Sequence, residues 1–131
     1  MKKFGLAAIF ALILMLCSCG KQITSYRIYD DTLVSFTQAL GDRTLVSEKL
    51  DKSEDGRIIT KAEYTYKSDK ADEDRENYLY YLLNNRDATF ISDDAVVLDS
   101  RDEGYAIVIR TSAEDNKFTI SLTRRSHGSE E

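Results

Sequence analysis

The chain contains no proline and no tryptophan, and its two cysteines, Cys17 and Cys19, both stand near the N-terminus. Positions 20–131 therefore hold no thiol, so a fold built from them has no disulfide and rests on its core alone. The single histidine, His127, lies among the last five residues. A Ser-His-Asp or Cys-His arrangement is thus not available to the folded part, nor is a zinc site of the ordinary His/Cys type. Six glycines are scattered, with no repeat that would cradle a phosphate. Lysine and arginine number 18 against 23 acids, a formal charge of −5. Nucleic-acid binding needs a basic footprint, so no nucleic acid is expected as a partner. Carboxylate-only catalysis needs a particular pair of acids, and no spacing singles one out. Neither an enzyme nor a cofactor is expected, and no catalytic residue is assigned.

What is present begins with Lys2 and Lys3, followed by thirteen apolar residues from Phe4 to Leu16. A spanning helix needs roughly 20 such residues, whereas a signal-peptide core is shorter. A core helix is a poor alternative, because the run is apolar on every side. Leu16-Cys17-Ser18-Cys19-Gly20 resembles the lipobox of bacterial lipoproteins, with Leu16 three before the cysteine, small Ser18 before it and Gly20 after it. The resemblance covers the first twenty residues. It implies removal of residues 1–18 and a thioether-linked diacylglycerol on Cys19, usually with further acylation such as palmitate. Two or more chains are what stable anchoring requires. The implied location is the exported face of a cell membrane or outer membrane. Lack of an Asp at position 20 resembles the outer-membrane sorting class, and the envelope type stays open.

Cleavage at that site leaves 113 of the 131 residues, enough for one domain, and loss of Lys2 and Lys3 takes the formal charge from −5 to −7. Such a surface gains nothing from anionic lipid, so the membrane contact is expected to run through the lipid on Cys19. The expected organisation is a leader over 1–18, a lipidated cysteine and tether over 19–29, one domain over 30–125 and a disordered polar tail over 126–131. The polar tether proper, 20–25, reaches roughly 20 Å at most. Tyr26, Tyr29, Ile23 and Ile28 are expected to pack onto a sheet, with an edge strand or an aromatic lip near the membrane as the alternative.

Within the domain, Leu33, Phe36, Thr37 and Leu40 recur at helical spacing. Asp30 or Asp31 is available as N-cap and Gly41 beyond the end, so a short helix is expected, with a strand over 32–37 as the alternative. Alternation over 45–50 and 57–67 predicts a hairpin turned at Asp55-Gly56, with Ile58, Thr60, Ala62, Tyr64 and Tyr66 on one face. A helix over about 70–84 is predicted, capped by Ser68 or Asp69 and ended by Asn84-Asn85. Asp72, Glu73 and Asp74 suit its first turn. Its buried stripe is Ala71, Tyr78, Leu79, Leu82 and Leu83, and Tyr80 points away. Strands over 89–92, 95–100, 105–111 and 117–123, with tight turns between them, predict an antiparallel meander. Tyr105, Ile107 and Ile109 face inward with Phe118, Ile120 and Leu122. The fold class is α+β, a single domain in which one antiparallel sheet, hairpin plus four-stranded meander, packs on one long helix.

Two groups of residues are candidate sites. Asp51, Ser53 and Asp55, with Gly56 and Ile58, have the spacing of the front of an EF-hand loop. Position twelve of that frame is Ala62 where a bidentate Glu belongs, and the flanks read as strands, so a polar hairpin tip is the competing reading. Asp72, Glu73, Asp74 and Tyr80 form an acidic-aromatic edge suited to a basic protein, with tyrosine for contact area and carboxylates for steering. The competing reading is helix capping and packing. The expected function is a non-catalytic, membrane-anchored binding module of the cell envelope with an envelope protein as partner. A small-molecule or calcium-binding lipoprotein is the alternative. An exposed apolar patch or free sheet edge favours the first and a deep cavity the second.

Overall fold

The computed structural model describes residues 23–127. Two short strands, β1 (Ser25–Ile28) and β2 (Asp31–Val34), pair as an antiparallel hairpin and lead into helix α1 (Phe36–Leu40). Next come β3 (Thr44–Lys52), β4 (Ile59–Lys67) and the long helix α2 (Ala71–Arg86). The meander is β5 (Thr89–Ser92), β6 (Ala95–Asp99), β7 (Tyr105–Glu114) and β8 (Lys117–Ser126). β3 to β8 form one antiparallel sheet in the order β3-β4-β8-β7-β6-β5. The fold is α+β, as the periodicity predicts, and the pairing of β4 with β8 joins the predicted hairpin to the predicted meander.

The inner face of the sheet carries Tyr64, Tyr66, Ile107, Ile109, Phe118 and Ile120, all buried. The side chains that cover it come from α2 and from the N-terminal hairpin with α1. Tyr26 stacks on Tyr64 with ring centroids 4.2 Å apart, and Phe36 packs against Phe118 at 4.8 Å and Tyr66 at 5.9 Å. Aromatic pairs of this kind are worth about 0.5–1.5 kcal/mol each beyond their burial. For a chain without tryptophan or a thiol in the domain, this tyrosine-phenylalanine cluster is a main source of cohesion. At one end of the sheet the Arg124 guanidinium lies between the rings of Tyr29 and Tyr105, 3.6 and 3.8 Å from their centroids. It also bonds Asp102. The clamp fixes the turn of the β1–β2 hairpin onto β8.

Several sequence expectations shift. Ser25–Ile28 is already a strand of the fold, so residues 25–29 do not belong to the tether expected over 19–29 and the domain boundary expected at 30 moves upstream. The reason is burial: Tyr26 and Ile28 are in the core, packed onto the sheet as expected for this segment. The predicted helix through Leu33 divides into a strand and a five-residue helix. Thr32, Leu33 and Val34 pair with β1, and Ser35 rather than Asp30 or Asp31 is the N-cap, its hydroxyl accepting from the Gln38 amide at 3.2 Å. Gly41 ends α1 at φ +132°, a conformation that suits glycine. Helix α2 runs two residues past Asn84, its N-cap is Lys70, and no side chain caps it. Ser68 instead accepts the Lys70 amide and donates to Asp74. At its other end Asp87 takes a left-handed conformation with φ +56°. Ser126 belongs to β8 and the His127 amide bonds the Gly104 carbonyl at 2.7 Å, so these two residues are not part of the tail expected over 126–131, and 128–131 lie outside the described residues. The leader over 1–18 and Cys19 lie outside the described residues.

Burial of the tyrosines has a consequence at high pH. Desolvation pushes the Tyr64 phenol up to about 12 from an ordinary 10, with the Glu48 carboxylate adding to it. Burial raises Tyr26, Tyr66 and Tyr78 as well. A phenol is charged when deprotonated, so the unfolded chain, titrating near 10, gives up its protons first. The stabilisation is complete below pH 10 and is lost as pH rises from 10 through 12. Each pKa unit is worth about 1.4 kcal/mol, so ionising Tyr64 within the fold costs at most about 3 kcal/mol above pH 12. Expected is a steep fall in melting temperature over that interval, with phenolate absorbance rising together with loss of β-sheet signal. Phenolate forming gradually while the sheet stays intact would contradict it.

Candidate functional site

The two sequence-predicted sites fare differently. Asp51 lies within β3, and its carbonyl accepts the Thr60 hydroxyl across the hairpin. Beyond it, the Ser53 hydroxyl donates to Asp55 and accepts the Ile58 amide, while the same Asp55 oxygen accepts the Arg57 amide at 3.1 Å. These bonds hold the Asp55 carboxyl below the usual carboxylate range. Gly56 sits at φ +75° and its amide bonds the Ser53 carbonyl at 2.8 Å. Ser53 Oγ and Asp55 Oδ1 thus serve to close the turn, and β4 runs on as a strand where an EF-hand needs a helix. Among the described residues no three His, Cys, Asp or Glu side chains come together as a metal-binding group.

The acidic-aromatic edge separates into two sets. Asp74 does not belong to the surface: it is 4% exposed. It lies one turn before Tyr78 on the inward stripe of α2. Its carboxylate takes a forked pair of bonds from Arg43, Nε at 2.7 Å and Nη2 at 3.0 Å, together with the Ser68 hydroxyl. This is a structural clamp between α2 and the segment joining α1 to β3. The spacing around Asp74 could not show it, because Arg43 is 31 residues away in sequence. Asp72 and Glu73 do face solvent, with Asp72 paired to Arg75 at 2.9 Å. Glu73, Glu76 and Tyr80 follow at helical spacing on the exposed side of α2.

That side of α2 meets β5, one of the two outer strands of the sheet. The Tyr80 and Phe90 rings touch edge to face with centroids 5.6 Å apart. Both stay open to solvent, Tyr80 at 49% and Phe90 at 38%, and Ile91 beside them is 40% exposed. In a regular strand Phe90 and Ile91 would point to opposite faces. Here the pairing passes from Phe90↔Val96 to Ser92↔Ala95, leaving Ile91 as an extra residue. A bulge of this kind re-aims side chains, and both residues line one open hollow with Tyr80, Arg75, Glu76 and Asp93. Arg75 is held by Asp72, and its buried Nη1 makes no hydrogen bond among the described residues. Sequence reading found Tyr80 but missed Phe90 and Ile91. The signal was an uncharged Thr-Phe-Ile-Ser run set between Asp87 and Asp93-Asp94, whose place at the sheet edge depends on long-range pairing.

No helix among the described residues is long and apolar enough to cross a membrane. No protein-family model, curated protein or solved structure matches the chain.

Proposed function

We propose that the chain is a lipid-anchored lipoprotein of the bacterial cell envelope whose folded part is a non-catalytic binding module. The anchor rests on the lipobox-like Leu16-Cys17-Ser18-Cys19, with Cys19 as the lipidated residue and the membrane as one partner. The binding role rests on one observation, the exposed Tyr80-Phe90-Ile91 patch beside the outer strand β5. Large apolar side chains gathered at one place on a surface mark contact sites more often than isolated ones do. The calcium alternative has less to rest on, because the Ser53 hydroxyl and Asp55 Oδ1 at the β3–β4 turn already bond one another and β4 continues as a strand.

The test is cross-linking and affinity capture of the full-length protein in its native envelope, beside Cys19→Ala. The proposal expects a protein partner in near-equal amount that disappears in the Cys19→Ala strain. Recovery of the chain alone, or equal capture with and without the anchor, would overturn it.

A further inference from the structure

Two strands bound the large sheet, and they differ in how they meet solvent. β3, at one edge, spells Thr-Leu-Val-Ser-Glu-Lys-Leu-Asp-Lys, with four charged residues in nine and two breaks in register. Breaks in register occur at both edges, and what sets β3 apart is charge along the strand, a device by which an edge resists pairing with another chain. β5, at the opposite edge, has no charged residue within it, and all four of its residues are exposed. Its one break in register turns Ile91 toward the hollow beside Tyr80. The edge is short, so main-chain pairing alone would hold a partner weakly. The aromatic patch supplies the rest.

Charge decides the occupant. Asp87 stands before β5, Asp93 and Asp94 follow it, and Glu76 faces the hollow from α2; all four are exposed. Two copies joined antiparallel through β5 would set Asp87 of one against Asp93 and Asp94 of the other at both ends of the joint. Like charges so placed disfavour a self-paired edge. A cationic strand meets the opposite situation, with carboxylates at both ends and an apolar step between them.

We infer that β5 receives an extended, lysine- or arginine-bearing segment of another protein as an added strand, with an apolar side chain over Tyr80, Phe90 and Ile91. Strand addition takes affinity from main-chain bonds and selectivity from alternate side chains. The inference deepens the binding-module reading and rests on it. It names the edge, the chemistry and the direction of recognition, none of which the anchor decides.

The probe is a ten-residue peptide of alternating lysine and valine, titrated into the full chain in detergent. The control is the same peptide with two central valines changed to proline, which keeps the charge and removes main-chain donors. Amide hydrogen exchange locates binding. Expected are at least tenfold slower exchange at Thr89–Ser92 on addition of the first peptide and at least tenfold weaker binding of the second. Ile91→Lys and Asp93→Lys, both at exposed positions and checked for an unchanged fold by circular dichroism, should each weaken the first peptide severalfold or more. Equal binding of both peptides would mean charge attraction without strand addition and would overturn the inference. So would protection elsewhere, no binding at millimolar peptide, or self-pairing of the chain through β5. A partner captured in the envelope whose cross-links map away from β5 would sink this inference alone and leave the binding-module reading intact.

Discussion

Tyr26→Ala is expected to destabilise the domain by about 3–5 kcal/mol, the range for removing a large aromatic side chain from a packed interior. Tyr26 is fully buried, stacked on Tyr64, edge-on to Tyr78 and hydrogen-bonded through its hydroxyl to Tyr66 at 2.6 Å. The same oxygen accepts the Phe36 amide at 2.9 Å, the first N–H of α1. One side chain thus ties the hairpin, the short helix and the sheet together. Small domains have about 5–15 kcal/mol in total, so the loss takes about a fifth or more. Tyr26→Phe separates the contributions. It keeps the ring and leaves the Phe36 amide and the Tyr66 hydroxyl without this partner, an expected cost of about 1–3 kcal/mol. Urea unfolding of the three proteins measures both. An alanine variant within 1 kcal/mol of the parent, on the order of a surface substitution, would show that residues 25–28 do not belong to the cooperative unit.

Asp74→Ala is the second. Breaking a fully buried ion pair costs about 3–5 kcal/mol, because the remaining charge is stranded. Here Arg43 retains 31% of its side-chain exposure and can turn to water, which lowers the expectation to about 2–4 kcal/mol. The Ser68 hydroxyl loses its acceptor in the same step. Asp74→Lys would place a cation against Arg43 and should prevent folding. Charge reversal at Glu73 and Glu76, both exposed, should leave the melting temperature within about 2 °C, in line with surface substitutions. The test of a steering role for the acidic edge therefore belongs at Glu73 and Glu76. A stable, folded Asp74→Lys protein would contradict the clamp.

These two residues also show where sequence reading reached its limit. The meander was legible because Phe118, Ile120 and Leu122 alternate with polar neighbours, 105–109 is an unbroken run of apolar residues rich in strand formers, and Gly104, Asp93-Asp94 and Asp115-Asn116 punctuate the turns. Helix α2 was legible from its apolar stripe and its acidic first turn. Leu33, Phe36 and Leu40 misled, since spacings of three and four fit a helix even when a strand residue and two helical residues happen to supply them. Ser35 between them was the available cap signal. Asp74 read as a surface acid because its partner, Arg43, comes from another element, and burial of a charged residue is decided by pairing rather than by local pattern. The patch was half visible: Tyr80 stood off the helix stripe, whereas the position of β5 at the edge follows from β4 pairing with β8, a contact between residues fifty or more apart in sequence. The lipobox-like residues 16–20 lie outside the described residues, and their reading rests on the local sequence alone.

The measurement that bears most directly on the account is photo-cross-linking from a defined residue inside the native envelope. A photoreactive side chain at Ile91, on the β5 edge, is compared with one at Lys49, on the guarded β3 edge, each with and without Cys19→Ala. The account expects one discrete cross-linked protein from position 91, joined through a basic segment, little from position 49, and loss of the product when Cys19 is replaced. The same product from both positions, or none from position 91 in the anchored protein, would contradict it.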